Sequence, residues 1–414
     1  MQINGWAEEI RNLGGIKFIK LHTVSGDIQV TLPKKVVSKE LFEKVDRITR
    51  QSALTVMGDL KKNKEAPGGK EIIPQKIEIV NLAETPLPLE PSGKTPAELE
   101  TRLDWRFLDL RTEKSLAIFR IQNEILRSFR EYLIKNGFFE IQPPCIIASA
   151  SEGGADLFKI PYFEKEAYLA QSPQLYKQMC AISLEKVFMI TPVWRAEKFN
   201  KPTHLNEIRQ LDIEMAFIKS EEDAMKVLEN VFVYILKSVE KNCKKELKSL
   251  NREIKIPKLP LKRVTYTEAI EALKKQGEKI EWGDDFSKLQ EEKLSKIFGD
   301  TFFMKDWPTM AKTFYTMPNE KDNKICHAFD LIHNGLEIAS GTQRIHIPDL
   351  LIKQIKRFSM KPEDFKYYID CFRFGAAPHG GWSIGLERIT MTITGMKNIR
   401  ECCMFSRDRN RLTP

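Results

Sequence analysis

The stretch Gln171-Ser-Pro-Gln-Leu-Tyr-Lys-Gln178 places amide, hydroxyl and ammonium side chains close together in an otherwise apolar part of the chain. Each of these groups would cost free energy if it were buried without a partner. Further polar blocks lie at Arg195-Ala-Glu197, at Asp330–Arg344 and at Gly380-Gly-Trp-Ser-Ile-Gly-Leu-Glu-Arg388. Separated segments rich in Arg, Glu and Gly predict an enzyme pocket for a polyanion and a small charged substrate.

The composition is that of a large globular protein. The 414 residues, 42% of them hydrophobic, can bury a core divided over two or three domains. The net charge of +9 permits nucleic-acid binding but does not require it. The sequence has no apolar run of membrane-spanning length and no signal peptide. Its seven cysteines form no CxxC pair, which predicts reduced thiols. We therefore expect a cytoplasmic protein without a membrane partner.

Residues 1–92 predict a small β-barrel. Alternating or β-rich strand patterns occur at Ile16–Leu21, Ile28–Leu32, Ala53–Met57 and Ile77–Val80. About five strands in roughly 90 residues fit a barrel of the OB type. A proline-rich segment at 85–96 marks the domain boundary, so residues 93–111 are expected to form a hinge.

Residues 112–414 predict a larger domain, and the chain as a whole is expected to be α+β. A helix should run from its cap at Thr112 to Asn136, because apolar residues recur there at three- and four-residue intervals. Gly137 can end that helix.

The rest of this domain predicts strands and further helices. A strand at 138–142 should stop at Pro143-Pro144, and longer strands are expected near 187–195 and 209–217. The Lys/Glu-rich segment at about 219–300 is interpreted as a solvated helical insertion.

Three blocks resemble, in order, the three signature motifs of the class II aminoacyl-tRNA synthetases. They are Gly137–Pro144 for motif 1, Trp194–Glu197 with Thr203–Glu207 and Gln210–Glu214 for motif 2, and Gly380–Arg388 for motif 3. A barrel ahead of such a domain is similar to subclass IIb, which includes aspartyl, asparaginyl and lysyl enzymes. The run at 171–178, the loop Ser151–Phe158 and the tail Phe405–Pro414 most resemble the archaeal-type aspartyl-tRNA synthetases. An antiparallel sheet flanked by helices is the catalytic fold that this resemblance implies.

The resemblance implies a two-step ligase reaction. ATP activates L-aspartate to aspartyl-adenylate, and the aspartyl group then passes to the 3′ end of tRNA-Asp and, in some members, of tRNA-Asn. Neither step needs a protein nucleophile, so catalysis must come from positioning and from neutralising phosphate charge. Mg²⁺ is expected with the ATP, and a homodimer is expected because motif 1 forms the dimer interface in this family.

The resemblance also assigns site residues. Arg195 and Arg388 would be catalytic, as contacts of the α- and γ-phosphates. The expected ATP-binding residues are Arg195, Glu197, His204, Leu205, Glu337, Gly385 and Arg388. The expected aspartate-binding residues are Glu152, Gln174, Lys177, Asp212, Ser340 and Arg344. Glu337 and Ser340 would hold the metal, with Asp330 in support.

Two charges decide the choice of amino acid. Lys177 and Arg344 would hold the side-chain carboxylate of aspartate while Asp212 receives its α-ammonium group; a lysine pocket would need acidic groups instead. One departure from the family pattern is Ile208, which stands where an aromatic residue often stacks on adenine.

In the barrel, Phe18 and Gln29 match the positions that stack on and hydrogen-bond to the central anticodon base. The competing interpretation of Phe18 is a residue of the barrel core. Three other functions remain open: an asparaginyl-tRNA synthetase, a tRNA-independent asparagine synthetase, and an inactive RNA-binding paralogue. The sequence does not decide whether one tRNA or two are charged.

Overall fold

The computed structural model describes residues 1–149, 157–198 and 201–414. The chain divides into two compact units, Met1–Leu116 and Ala117–Pro414. None of the helices in the described ranges combines the length and the apolarity that a membrane crossing requires.

The first unit contains a closed five-stranded barrel. Its elements are β1 (Gln2–Asn12), β2 (Ile16–Thr23), β3 (Gly26–Pro33), α1 (Lys39–Lys44), β4 (Ala53–Lys62) and β5 (Lys70–Asn81), with the strand order β1-β2-β3-β5-β4. Alternation along the strands puts Ile19, Leu21 and Val30 in the interior, where none of them is exposed. The predicted OB-type barrel is confirmed, and each of the four predicted strand segments lies within one of its strands.

Two short helices, α2 (Leu99–Asp104) and α3 (Arg106–Asp109), follow the barrel and precede the long helix α4 (Glu113–Lys135). The backbone N–H of Ser115 donates to Thr112 Oγ1 over 3.2 Å, and Gly137 has a φ of 78°, so both predicted ends of α4 are confirmed.

The second unit is built on an eight-stranded sheet. Its strands are β6 (Phe139–Glu140), β10 (Lys186–Trp194), β11 (Glu207–Ala216), β12 (Lys262–Thr265), β13 (Thr301–Pro308), β14 (Ile325–His333), β15 (Leu336–Gln343) and β16 (His379–Gly385). The order across the sheet is β12-β13-β14-β15-β16-β11-β10-β6. The six central strands are antiparallel, as predicted, whereas each edge strand pairs in parallel with its neighbour. The strand predicted at 138–142 has only two residues, because the prolines that follow cannot donate to a ladder.

Among the described residues, a three-stranded sheet and eight further α-helices complete this unit. The small sheet consists of β7 (Ile146–Ile147), β8 (Lys159–Tyr162) and β9 (Lys165–Leu169). The helices after α4 are α5 (Gln174–Leu184), α6 (Glu221–Asn242), α7 (Lys244–Ser249), α8 (Tyr266–Lys275), α9 (Lys288–Phe298), α10 (Pro348–Arg357), α11 (Lys366–Phe372) and α12 (Leu386–Thr394).

The segment at 219–300 differs from the solvated insertion that its composition predicted. Helix α6 buries a full apolar stripe that includes Leu228, Val231 and Ile235 in the main core, and β12 is an edge strand of the central sheet. The expectation of a solvated segment is wrong for α6, because the exposed charges Lys226, Lys237, Glu240 and Lys241 raise its charge content while the apolar stripe is buried.

Candidate active site

A row of cross-strand neighbours crosses the central sheet. Asp330 pairs with Ser340, Ser340 with Ser383, and Ser383 with Asp212. Directly opposed residues of antiparallel strands point to the same face, so these four side chains line one face of the sheet. Leu211, next to Asp212, points to the other face and belongs to the main core.

A cavity of about 380 Å³ is lined by Ser340, Ser383 and Asp212 of this row and by residues of both predicted binding regions. Asp330 is not itself a lining residue, but it pairs with Ser340, which is. The walls of the cavity include the predicted residues Gln174, Lys177, Arg195, Glu197, His204, Leu205, Asp212, Glu337, Ser340, Arg344, Gly385 and Arg388. Glu152 lies outside the described residues. Ile208 also lines the cavity. A larger cavity of about 760 Å³, beside the turn between β14 and β15, contains none of these residues.

The amino-acid end of the cavity is a compact set of four charges. Lys177 Nζ donates to Asp212 Oδ1 over 2.7 Å and lies 3.6 Å from Glu214 Oε2. Arg344 holds Glu214 with two nearly parallel hydrogen bonds of 3.0 and 3.1 Å. All four side chains are at most 4% exposed. Two cations therefore balance two carboxylates, and Glu214 is a member of the set to which the sequence analysis gave no role.

Glu214 is held as an anion by its neighbours. Burial alone would raise the pKa of its carboxyl, but the charges of Arg344 and Lys177 outweigh burial and keep the pKa below the usual range. Gly381 leaves the space that Glu214 occupies, since a Cβ at that position would lie 2.4 Å from Glu214 Oε2 and 2.2 Å from the carbonyl oxygen of Ile213. This close approach explains one of the glycines in the block at 380–388.

At the nucleotide end, Asn206 organises the chain around Arg195. Asn206 Nδ2 donates to the carbonyl oxygens of Arg195 and Glu197 over 2.7 and 2.9 Å, and the backbone N–H of Arg195 donates to the carbonyl of Asn206 over 2.9 Å. Arg195 Nε is buried and has no hydrogen-bond partner among the described residues. A buried guanidinium donor of this kind would be satisfied by an anionic ligand.

Arg388 lies at the start of α12, on another wall of the cavity. Its Nη1 donates to the carbonyl oxygen of Glu337 over 3.2 Å and lies 3.8 Å from Glu337 Oε1. Burial lowers the pKa of His204 to about 4, and the positive charges of Arg388, Lys201 and Arg195 act in the same direction. His204 is therefore neutral at pH 7 in a region of positive potential, which suits a polyphosphate.

An acidic corner, formed by Glu337 in the cavity wall and Asp330 next to it, adjoins Ser340. Asp330 Oδ2 accepts from Lys312 Nζ over 2.7 Å, while Oδ1 is buried and has no partner among the described residues. Burial raises the pKa of Asp330 to about 6, although the charge of Lys312 opposes the shift. The sequence analysis missed Lys312, which lines the cavity and stands 4.0 Å above the Trp307 ring. It belongs to none of the polar blocks, so no local signal pointed to it.

The two predicted anticodon residues lie in the barrel unit. Phe18 is half-buried on the outer face of β2, opposite Thr31, and it is not part of the barrel core; the guanidinium of Arg11 stands 5.4 Å from its ring centre. Gln29 Nε2 donates to Thr31 Oγ1 over 3.1 Å and to Glu71 Oε2 over 3.4 Å. Phe18 and Gln29 therefore share one face, since each lies beside Thr31.

Comparison with known proteins matches both units. The model for class II tRNA synthetases (D, K and N) matches residues 98–409, and the model for the OB-fold nucleic acid binding domain matches residues 1–80. The aspartate–tRNA(Asp/Asn) ligase of Methanopyrus kandleri is 50% identical over 415 residues, covering 100% of this chain and 96% of the relative. Its counterpart in Methanocaldococcus jannaschii is 46% identical, covering 100% of this chain and 94% of the relative.

Solved structures agree with these sequence matches. Asparaginyl-tRNA synthetase from Pyrococcus horikoshii, complexed with asparaginyl-adenylate, superposes with a TM-score of 0.94 at 34% identity and covers 100% of this chain and 96% of that one. Aspartyl-tRNA synthetase from Entamoeba histolytica gives a TM-score of 0.88 at 34% identity, with 100% and 90% coverage. On fold, motifs and full-length similarity, the chain belongs to the class II tRNA synthetases of the aspartyl, lysyl and asparaginyl group.

Proposed function

We propose that this chain is an aspartate–tRNA ligase that activates L-aspartate with ATP and charges both tRNA-Asp and tRNA-Asn. The observation that carries the proposal is the buried pair of cations, Lys177 and Arg344, at the amino-acid end of the cavity. The names of the relatives, aspartate–tRNA(Asp/Asn) ligase, support both the amino acid and the choice of two tRNAs.

Aspartate would enter by exchanging ionic partners. Its side-chain carboxylate takes the place of protein carboxylates on Lys177 and Arg344, while its α-ammonium is received by Asp212, whose Oδ1 then exchanges Lys177 for the ligand. Glu214, which Arg344 releases in this exchange, still has the Lys177 ammonium 3.6 Å from its Oε2 as a compensating charge. An uncharged amide side chain could not replace the carboxylate on both cations, which favours aspartate over asparagine.

The nucleotide end supports adenylate formation. An oxygen of the aspartate α-carboxylate attacks the α-phosphorus of ATP, the bond to the bridging oxygen breaks, and pyrophosphate leaves. Arg195 holds the α-phosphate, with its unpaired Nε as one donor, and Arg388 and His204 meet the outer phosphates. Glu197 and Gly385 bind the adenosine part, and Leu205 and Ile208 give apolar walls.

Magnesium fits the acidic corner. Glu337 supplies a carboxylate, Ser340 a hydroxyl, and Asp330 has a buried oxygen without a partner among the described residues, so the donors are the hard oxygens that Mg²⁺ prefers. When bound, the ion would neutralise charge on the outer phosphates of ATP. Glu337 and Ser340 would hold it directly, and Asp330 would support them from the neighbouring strand.

Recognition of tRNA would be divided between the two units. The OB barrel, residues 1–92, would read the anticodon by stacking on Phe18 and by a hydrogen bond that Gln29 Oε1 accepts, while residues 112–414 carry the chemistry. Phe139 on β6, an edge strand of the eight-stranded sheet, is 58% exposed, and Ile146 on β7, an edge strand of the small sheet, is 47% exposed. These exposed apolar residues around Pro143-Pro144 support a homodimer through this part of the chain. We also infer a cytoplasmic location, where the tRNA substrates are.

The test is ATP–pyrophosphate exchange without tRNA, followed by charging assays with purified tRNA-Asp and tRNA-Asn. We expect exchange with aspartate and none with asparagine or lysine, and we expect both tRNAs to be charged with aspartate. Exchange that depends on asparagine rather than aspartate would refute the amino-acid assignment. Charging of tRNA-Asp alone would refute only the second tRNA.

A further inference from the structure

Four buried polar side chains form a network behind the amino-acid end of the cavity. Gln174 and Gln178 lie one turn apart on α5, Tyr368 comes from α11, and His379 begins β16. None of the four is more than 3% exposed, so their hydrogen bonds must be made with one another or with the backbone.

The direction of each hydrogen bond in this network follows from one carbonyl group. His379 Nδ1 lies 2.9 Å from the carbonyl oxygen of Ala377, which can only accept, so Nδ1 carries the hydrogen. Burial lowers the pKa of His379 to about 4, so the ring is neutral at pH 7. Nε2 is then an acceptor, and Gln178 Nε2, 2.8 Å away, donates to it. Phe372 stacks on the imidazole with ring centres 5.5 Å apart and an angle of 12°, which fixes the ring plane.

The orientation of Gln178 in turn fixes Gln174. Because the amide nitrogen of Gln178 faces His379, its Oε1 accepts from the Tyr368 hydroxyl over 2.9 Å and from Gln174 Nε2 over 2.8 Å. The amide nitrogen of Gln174 is therefore committed to Gln178. Gln174 lines the cavity, so its carbonyl oxygen is the atom able to accept from a ligand there.

We propose that Gln178 is a positioning residue for the amino-acid substrate: it keeps the carbonyl oxygen of Gln174 directed at the α-ammonium group of aspartate. This inference rests on the proposed function. A reversed Gln174 amide would present N–H groups to an ammonium ion, and a reversed Gln178 amide would set its carbonyl oxygen against the acceptor Nε2 of His379 and its N–H groups against those of Gln174. Each reversal removes several hydrogen bonds at once, so the network has one favourable arrangement.

The experiment compares two ligands that differ only at the ammonium group. Succinate carries both carboxylates of aspartate but no α-amino group. Dissociation constants for L-aspartate and for succinate are measured with the wild-type protein and with Gln178→Met, which removes every hydrogen bond of the amide. We expect Gln178→Met to weaken aspartate binding on the order of ten- to a hundredfold, the effect of losing one hydrogen bond to a charged group, and succinate binding by less than about twofold.

Two further variants separate positioning from folding. Gln178→Glu keeps oxygen acceptors for Gln174 and Tyr368, so it should retain the wild-type preference for aspartate over succinate within about threefold. Met179→Leu, a change at the next position of α5 in an apolar cluster, should leave both constants unchanged. Thermal unfolding reports whether each variant is folded.

The inference is overturned if Gln178→Met weakens the binding of aspartate and of succinate by the same factor, or if it weakens the binding of neither. It is also overturned if a folded Gln178→Glu variant loses the preference for aspartate over succinate. If Gln178→Met does not fold, the Gln178→Glu arm still decides, since retention supports the inference and loss refutes it. Failure of the proposed function looks different, because the wild-type protein would then bind no aspartate at all.

Discussion

Replacing Lys177 by methionine tests the charge balance of the amino-acid pocket. In the empty pocket Lys177 and Arg344 balance Asp212 and Glu214, so Lys177→Met leaves the pocket with one negative charge in excess. Aspartate itself carries a net negative charge and loses its hydrogen bond to the ammonium. A charge-assisted hydrogen bond at a buried site is worth about 1.5–3 kcal/mol, so kcat/KM for aspartate should fall roughly ten- to a hundredfold or more.

The assay is aspartate-dependent pyrophosphate exchange at saturating ATP, with KM for ATP measured separately and expected to stay constant. Removing one partner of a buried ion pair also costs stability, about 3–5 kcal/mol. A control comes from the barrel, where Lys17 is 2% exposed and its Nζ lies 2.7 Å from Oδ2 of Asp46, a carboxylate that is 57% exposed. Lys17→Met should lower the unfolding temperature without changing KM for aspartate.

The reasoning fails if Lys177→Met reduces kcat/KM for aspartate no more than Lys17→Met does. It also fails if KM for ATP rises in parallel with KM for aspartate, because Lys177 would then support the whole cavity and not the side-chain carboxylate.

Three other outcomes follow from the structure. Phe18→Ala should reduce tRNA charging roughly ten- to a hundredfold, the effect of losing one stacked base, while pyrophosphate exchange stays intact. Arg388→Ala should abolish both activities. Equal losses of charging and exchange in Phe18→Ala would show that Phe18 has a structural role and does not contact the anticodon. Light scattering at micromolar concentration should give the mass of a dimer, and Phe139→Glu should shift it toward the monomer; a monomeric wild type contradicts the dimer. Burial lowers the pKa of His333 to about 4, against about 6.5 in the unfolded chain. Between these two values the unfolded chain binds a proton that the folded protein does not. The free energy of unfolding should therefore decrease as the pH falls from 6.5 toward 4. His333→Gln should therefore lose roughly 3 kcal/mol less than the wild type between pH 7 and pH 4 in urea unfolding, and identical pH profiles would contradict this.

The spacing of apolar residues, together with the residues that begin and end helices, predicted the local elements well. The apolar spacing of α4, with Thr112 and Gly137 at its ends, and the alternation of the barrel strands both depend on near neighbours, which a sequence displays directly. The prediction of a solvated segment at 219–300 relied on charge content alone, and charge content does not show the spacing of apolar residues along a helix. The buried stripe of α6 is visible only when residues three and four apart are read together.

Long-range partners in the cavity could not be read in the same way. Gln178 ends the polar stretch 171–178, but its hydrogen bond to His379 joins positions 201 residues apart. Lys312 meets Asp330 only because β14 returns beside the segment that carries it. The resemblance to a family predicted residues that line the cavity. It did not predict Gln178 and Lys312, which hydrogen-bond to the predicted residues Gln174 and Asp330.

The two cations and two carboxylates at the amino-acid end of the cavity neutralise one another, so replacing one of them changes the net charge of the pocket. Gly381 and the paired strands set the space of the pocket, whereas the ammonium group of Lys177 supplies one of its two positive charges. Changing that single group would alter which side chain is electrically acceptable without moving the backbone. A fold shared at a TM-score of 0.94 with an asparaginyl enzyme is consistent with such conversion, in which acid and amide substrates differ by one unit of charge on a common frame.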